Sequence, residues 1–335
     1  MRAVVLVGGF GTRLRPLTLT RPKQMLPVVN RPMIEHVIEH LAGHGVDDVV
    51  LSLGYRPDGF RHAYPDGRCA GATLHYAVDP EPLDTAGAIA WSASEAGITD
   101  RFLVVNGDVL TDLDVGRLVA FHDAAGAEGT IALHRVADPS RYGVVPTDKA
   151  GLVEAFVEKP RPGEAPTDLI NAGTYVLEPA VLDRIPGGRR VSVEREVFPG
   201  MVADGSLYAL DGDTYWIDAG TPGEYIQCQL DLVDGVRGTP VPGVDDLAAV
   251  DGDATVKRSV VGPGATVAAG ARVAGAVVLP GAHVGSDAVV VGSVVGEGAV
   301  VGAAAHVVGG SVVGDRQVVV PGERLDGVRR PEACP

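Results

Sequence analysis

Three glycines closing a short apolar run, with two cations close behind them, are the densest chemical signal in the chain. Ala3-Val4-Val5-Leu6-Val7 leads into Gly8-Gly9-Phe10-Gly11-Thr12-Arg13-Leu14, and Pro22-Lys23-Gln24-Met25-Leu26-Pro27 follows. Glycines at the end of a strand let the backbone approach a ligand and aim N–H groups at phosphate. A plain turn needs neither Arg13 nor Lys23, so the two cations point to an anionic ligand. Two familiar phosphate loops are excluded: the dinucleotide fingerprint requires a glycine where Leu14 stands, and the P-loop requires Gly-Lys-Ser/Thr. Lysine usage adds weight, because 24 of the 28 basic residues are Arg and only Lys23, Lys149, Lys159 and Lys257 are Lys. Where a chain leans this far to Arg, a Lys marks a place suited to a compact point charge.

These residues must be positioned by an alternating pattern of strands and helices. Arg2 to Val7 reads as a buried strand, with further strands at Asp48–Leu53, Thr73–Val78 and Phe102–Val105. Helices fit at 32–42, with Asn30 as cap and Ile34, Val37, Ile38 and Leu41 on one face, and at 85–95 and 115–124. Such alternation predicts a mainly parallel sheet covered on both faces. Strand-like runs at 129–135, 142–146, 151–157, 170–177 and 206–217 lie closer together and predict antiparallel additions. Thr221 and Glu224 form a capping box, with Pro222 in the first turn, for a helix over 222–234.

Beyond a Gly-, Pro- and Val-rich linker the composition turns to Val, Gly and Ala with a six-residue apolar period. Val261, Val267, Val273 and Leu279 form one run and Val295, Val301, Val307, Val313 and Val319 another, with the phase broken between them. This period fits the hexapeptide β-helix, in which one apolar residue per flat side fills a narrow core. The repeat of roughly sixty residues corresponds to about three coils at eighteen residues each.

Twenty-eight basic against forty-three acidic residues give a net charge of −15, and mean hydropathy is +0.17. A chain with no basic surplus is a poor general nucleic-acid binder, while small anions remain open wherever positive charge is local. Cys69, Cys228 and Cys334 are too few and too scattered for a disulfide framework or a CxxC metal site. The N-terminal apolar run is too short for a signal-peptide core, and the uncharged stretch 298–314 is Gly-rich and short for a membrane span. A cytoplasmic protein without membrane partners is the expectation.

Gly8 to Leu14 with the downstream Pro22-Lys23 resembles the signature of sugar-1-phosphate nucleotidylyltransferases. The resemblance continues in order through Glu81-Pro82-Leu83-Asp84-Thr85-Ala86-Gly87, Asn106-Gly107-Asp108, Tyr142-Gly143-Val144-Val145, Glu158-Lys159-Pro160, Ile170-Asn171-Ala172-Gly173 and Trp216-Ile217-Asp218-Ala219-Gly220-Thr221. Within that family, Asn106-Gly107-Asp108-Val109 and Ser192-Val193-Glu194-Arg195-Glu196-Val197-Phe198-Pro199 look most like the mannose-1-phosphate guanylyltransferases. The resemblance implies an α/β fold: a Rossmann-like, mixed but mainly parallel nucleotidyltransferase domain over 1–235, followed by a linker over 236–250. A short left-handed parallel β-helix over 251–322 and a tail over 323–335 complete it.

The implied chemistry is attack of a sugar-phosphate oxygen on the α-phosphorus of a nucleoside triphosphate, with pyrophosphate leaving and no covalent enzyme intermediate. By resemblance Arg13 and Lys23 are catalytic, and Gly8, Gly9, Gly11, Thr12, Glu81, Asp84 and Gly87 hold the nucleotide. Gly143, Glu158, Lys159 and Asn171 hold the sugar phosphate, and Asp108 and Asp218 bind Mg²⁺. The β-helix implies a homo-oligomer.

Two departures bear on substrate. Asp84 replaces a common family glycine beside the nucleobase pocket, and Lys23-Gln24-Met25-Leu26-Pro27 looks more like the thymidylyltransferase branch. Glucose-1-phosphate or a cyclitol phosphate is therefore an alternative acceptor. A regulatory relative without turnover is another reading, against which Arg13, Lys23, Asp108 and Asp218 all stand. An acyltransferase in the β-helix, built on His283 or His306, is the remaining rival.

Overall fold

A computed structural model describes residues 1–54 and 57–332; Cys334 lies outside them. The chain forms two compact units: residues 1–8 with 35–216, and residues 9–34 with 217–335.

The first unit is built on a ten-stranded sheet. Its main path runs Val157–Glu158, Gly143–Val144, Leu169–Leu177, Phe102–Asn106, Arg2–Leu6, Asp48–Leu53, Ala72–Val78, Arg68–Cys69. Arg2–Leu6 pairs in parallel with both Phe102–Asn106 and Asp48–Leu53, and the latter pairs in parallel with Ala72–Val78. Consecutive residues of these strands are buried, as in Val49 to Leu53 and Phe102 to Val105, so both faces are covered. Helix Asp84–Glu95 presses Ala86, Ile89 and Ala93 into the same core as Val4, Val50 and Phe102. The later strands add antiparallel pairs, Leu169–Leu177 against Phe102–Asn106 and Gly129–Arg135, as the closer spacing predicts. Leu207–Asp211 departs from that pattern and joins Gly129–Arg135 in parallel.

One local expectation is corrected and one short element is added. Asn30 does not cap the helix that follows, which is Met33–Gly43. Val29 and Asn30 both have positive φ (44° and 68°) and turn a tight hairpin between Pro27–Val28 and Arg31–Pro32, a conformation Asn tolerates. A helix at Asp58–Ala63, one and a half turns long, is too short to show a periodic signal in the sequence.

In the second unit, fifteen short strands from Ala249–Val250 to Arg329–Arg330 stack into three five-stranded parallel sheets. This is the architecture of the parallel β-helix that the hexapeptide repeat predicts, left-handed as the family resemblance implies, with five coils where the period suggested about three. Inward residues are Val267, Val284, Val301 and Val319 on one face, and Val256, Val273, Val290, Val307 and Leu325 on the next. The third face contributes Val261, Val278, Val295 and Val313. Most of these are essentially inaccessible, and burying one such valine contributes about 1.5–3 kcal/mol.

The break in the six-residue phase now has its cause. Val278, not Leu279, points inward. The corners at Gly275 and Gly292 are one residue shorter than the corner at Gly309-Gly310, so inward positions fall five apart at the first two and six apart at the last. His283 and His306 lie on different faces, and His283 Nδ1 is 2.5 Å from Thr266 Oγ1 one coil below. That arrangement offers an acyltransferase reading no support.

The second unit also holds helix Pro222–Val233, capped as expected by Thr221, whose Oγ1 accepts from the Glu224 N–H at 3.4 Å and lies 2.6 Å from the Glu224 carboxylate. Tyr225 Oη donates to the Pro27 carbonyl and the Val29 N–H donates to Gln229 Oε1, so the Pro27–Pro32 hairpin is seated on this helix. Cys228, on the same helix, is buried in apolar surroundings that push its thiol up and keep it unreactive. No helix among the described residues is long and apolar enough to cross a membrane.

Candidate active site

The glycine-rich loop closes on itself. Gly11 has φ +58°, and a Cβ there would lie 2.9 Å from Thr18 Cγ2 and 3.2 Å from Lys23 Cβ. Both the backbone conformation and the packing therefore demand glycine. Buried Thr18 donates its hydroxyl to the Gly11 carbonyl at 2.8 Å, while Leu14 and Leu17 anchor the segment in apolar surroundings. Thr12 and Arg13, on a turn of 3₁₀ helix, face outward, and Lys23 is half-buried beside Gly11.

Arg13 and Asp218 form a pair in the second unit, Nη2 to Oδ2 3.6 Å, with the Arg side chain 54% exposed and the Asp 15%. Gly220 makes this possible: a Cβ there would stand 2.7 Å from both Arg13 Nη2 and Asp218 Oδ1. The Trp216-Ile217-Asp218-Ala219-Gly220 motif thus supplies a carboxylate for Arg13 and the bare backbone that lets the two meet.

In the first unit the motifs gather at the carboxyl ends of the parallel strands, where open α/β sheets bind ligands. Asp108 follows strand Phe102–Asn106 through Gly107, whose missing side chain leaves room for Val7; a Cβ would lie 2.6 Å from Val7 Cγ1. Asn106 packs in turn on Gly173 (φ +76°), where a Cβ would be 2.5 Å from Asn106 Nδ2. A register shift between Asn171 and Tyr175 breaks the strand there. The bulge holds Asn171 through Oδ1, which accepts from the Gly173 N–H, and Nδ2, which donates to Tyr175 Oη at 2.8 Å. Two motifs separated by some sixty residues in sequence therefore share one wall.

Gly143 pairs with Glu158 across neighbouring strands. The space above its Cα is filled by the Phe156 ring, 2.7 Å from where a Cβ would stand, and by Glu158 Oε2 at 3.1 Å. Glu158 is 2.8 Å from Lys159 Nζ, and Lys159 is held at φ +49°, a strained conformation of the kind that clusters at functional positions. Trp216 borders this region in the same unit, stacked on His134 and edge-on to Tyr142, with its Nε1–H donating to the Ala172 carbonyl.

Glu81 is exposed and Gly87 is buried within helix Asp84–Glu95, its N–H directed at the Val191 carbonyl. Asp84 is exposed at φ +62°, a conformation that suits glycine, and its Oδ1 accepts the Thr85 N–H. The Ser192-Val193-Glu194 segment braces this loop: Glu194 accepts from both Thr85 Oγ1 and Ser192 Oγ at 2.8 Å.

One residue and its glycine floor escaped the sequence reading. Asp79 follows strand Ala72–Val78, with its N–H on the Leu53 carbonyl. Its Oδ2 lies 3.8 Å from the Cβ position of Gly54, which is itself 3.7 Å from the Gly8 Cα. Among the described residues Asp79 Oδ1 is buried without a hydrogen-bond partner, and burial raises the carboxyl pKa from 3.8 to about 6. The available signal was its place, directly after an alternating strand.

Asp108 in the first unit and Asp218 in the second each stand at a strand end and each offer a carboxylate, the donor type a hard cation takes; among the described residues no group of three or more His, Cys, Asp or Glu forms a metal cage. A small divalent ion takes one or two carboxylates and completes its shell with phosphate oxygens and water.

A mainly parallel sheet with glycines and carboxylates at its strand ends, a glycine loop bearing Arg and Lys, and a hexapeptide solenoid in the same chain define a nucleotidyltransferase. The chain belongs to the nucleotidyl transferase family, whose model matches residues 2–235, and a GMPPB C-terminal domain matches residues 240–327. It is 44% identical over 278 residues to the mannose-1-phosphate guanylyltransferase of Mycobacterium tuberculosis, covering 80% of this chain and 77% of that protein. It is 46% identical over 230 residues to the mannose-1-phosphate guanyltransferase of Schizosaccharomyces pombe, covering 68% of this chain and 62% of that longer protein. Among solved structures, HddC from Yersinia pseudotuberculosis superimposes with a TM-score of 0.60 at 29% identity over 68% of this chain and 97% of its own; it is also known in complex with GMP-PN.

Proposed function

We propose that this enzyme is a Mg²⁺-dependent mannose-1-phosphate guanylyltransferase, forming GDP-mannose and pyrophosphate from GTP and mannose 1-phosphate. The observation that carries the guanine assignment is the Asp79 carboxylate beside Gly8 and Gly54. Guanine presents two adjacent donors, N1–H and the 2-amino group, and an ionised carboxylate accepts both at once; Gly8 and Gly54 leave a flat floor for the ring. The relatives at 44% and 46% identity carry guanylyl-transferring names, which supports the same assignment.

The N–H groups from Gly9 through Thr12 cradle the phosphates. Lys23 meets the α-phosphate, and Arg13, more than half exposed, swings from Asp218 to the departing pyrophosphate. Glu158 and Asn171 accept and donate hydrogen bonds to sugar hydroxyls, with Lys159 on the sugar phosphate. An oxygen of that phosphate attacks the α-phosphorus, and the bond from the α-phosphorus to the bridging oxygen of the β-phosphate breaks. Asp108 and Asp218 would hold the Mg²⁺, which neutralises charge on the phosphate oxygens. Each side chain binds or orients; none becomes covalently attached.

The test is pyrophosphate release with Mg²⁺ across GTP, dTTP, ATP, UTP and CTP, each against mannose 1-phosphate, glucose 1-phosphate and a cyclitol phosphate. GTP with mannose 1-phosphate is expected to exceed every other pair by about tenfold or more, since discrimination rests on hydrogen bonds to the base. A maximum in another cell refutes the substrate assignment, and an inert but folded protein favours a regulatory relative.

Asp84 is assigned to the rim of the nucleotide site. Asp84→Gly relaxes a left-handed backbone while losing one local hydrogen bond, so stability should move by less than ~1 kcal/mol. The KM for GTP should stay within about twofold of wild type. A tenfold rise in that KM would transfer base recognition from Asp79 to Asp84.

A further inference from the structure

Nothing in the roles above assigns the solenoid a part in the reaction, yet its last coils grip the loop that carries both catalytic cations. Asp315, with a side chain 7% exposed, accepts the Thr20 hydroxyl at 2.6 Å and an Arg21 Nη2–H at 3.0 Å through Oδ2. Its Oδ1 accepts the Glu297 N–H from the coil before, and Glu297 itself pairs with Arg21. At the other end of the loop, Arg329 donates to the Arg15 carbonyl at 2.8 Å. Between these ties Gly314 lies against Pro16, where a Cβ would be 3.0 Å from the proline ring.

The placement is selective. Corners of the solenoid equivalent to Glu297 and Asp315 carry Pro263 and Pro280 in the two preceding coils. A β-helix corner has no need of a carboxylate, so acidic side chains occur where this loop passes and prolines where it does not. The ties fall two residues after Arg13, at Arg15, and two residues before Lys23, at Arg21. Together with the Thr18–Gly11 hydrogen bond and the contact of Lys23 Cβ with Gly11, they leave the segment between the cations little freedom.

We propose that Asp315 and Arg329 are positioning residues, and that the terminal coils hold Lys23 and Arg13 in register with the reacting phosphates. This rests on the roles given to Arg13 and Lys23 above. Misplacing a charged group by about 1 Å is enough to lower turnover by as much as ~10²-fold, so a solenoid far from the chemistry in sequence can control its rate.

The experiment is steady-state kinetics with thermal unfolding on the full chain for Asp315→Ala, Asp315→Asn, Arg329→Ala and Lys23→Ala, and for Asp315→Ala combined with Lys23→Ala. Asp326→Asn, which breaks a solenoid ion pair with Arg324, is the control. Asp315→Ala is expected to lower kcat by about 10- to 100-fold. Asp315→Asn, which keeps one acceptor for Thr20 and Arg21 but turns its amide N–H toward the Glu297 N–H, should recover part of that loss, and Asp326→Asn should change nothing. In the Lys23→Ala background the Asp315→Ala change should have little further effect, because both act through one group. A merely structural role predicts independent, multiplicative losses that track the fall in Tm; that result overturns the proposal. So does wild-type kcat in both Asp315→Ala and Arg329→Ala while Lys23→Ala is inactive. Wild-type turnover in Lys23→Ala instead overturns the reading of the loop, and the proposal with it. Should Asp315→Ala fail to fold, Arg329→Ala, which removes one bond to a carbonyl, takes its place in the cycle.

Discussion

Asp108→Asn should lose at least ~10²-fold in turnover while unfolding within about 2 °C of wild type. Asn has the shape of Asp, so the turn after strand Phe102–Asn106 keeps its geometry. The position is rigidly defined: Gly107 cannot carry a side chain against Val7, its N–H is bonded to the Leu6 carbonyl at 3.0 Å, and Val109 beyond it is buried. What changes is the charge. A neutral amide is a weak ligand for a hard divalent ion, and phosphate oxygens then face the site with less neutralisation. Pyrophosphate release measured alongside thermal unfolding checks both halves. Near-normal turnover would remove Asp108 from the metal site, whereas a large fall in Tm would make it a structural residue instead.

Asp79→Asn should raise the KM for GTP by about tenfold or more, because an amide offers one acceptor and turns an N–H donor toward the 2-amino group. The pH dependence is equally specific. With the carboxyl pKa in the free enzyme at about 6, kcat/KM for GTP should fall as pH drops through that value, and the Asn variant should lack this limb. Stability should move in the opposite sense. The folded state holds this proton more tightly than the unfolded chain, so the benefit to folding is complete below about pH 4 and lost as pH rises through 6. At pH 7–8 wild type therefore carries a poorly solvated carboxylate, and Asp79→Asn should be more stable, on the order of 1–3 kcal/mol. The difference should vanish toward pH 4. Denaturant unfolding at pH 4 and 7.5 measures it, and an Asn variant less stable than wild type at pH 7.5 would contradict the burial argument. A residue that weakens the empty enzyme and strengthens substrate binding is the signature of a site residue.

The chemistry was legible because it is carried by short contiguous motifs. Gly8 to Leu14 with Lys23, the Asn106-Gly107-Asp108 turn and the Trp216-to-Thr221 segment announce a phosphate loop and carboxylates in a single reading of the chain. The strands at Asp48–Leu53 and Phe102–Asn106 and the helix at Pro222–Val233 were equally clear, since burial periodicity and capping are properties of near neighbours. The hexapeptide period revealed the solenoid for the same reason, each inward valine being a few residues from the next.

What the sequence left open depends on partners distant in the chain. Asn30 looks like a helix cap until the paired Pro27–Val28 and Arg31–Pro32 turn it into a hairpin residue. Leu279 looks like a core position until shortened corners move Val278 inward. Asp79 comes beside Gly8 and Gly54 only because the strands that precede all three pair with one another. Residue types and local periods determined the mainly parallel sheet and the solenoid, and the order of the short motifs carried the resemblance that gave the reaction class. Tertiary structure alone decided that Arg13 meets Asp218 and that Asp315 and Arg329 reach back some three hundred residues to hold the loop. Those contacts depend on which strand ends and coil corners lie side by side, and no local pattern in a chain records that.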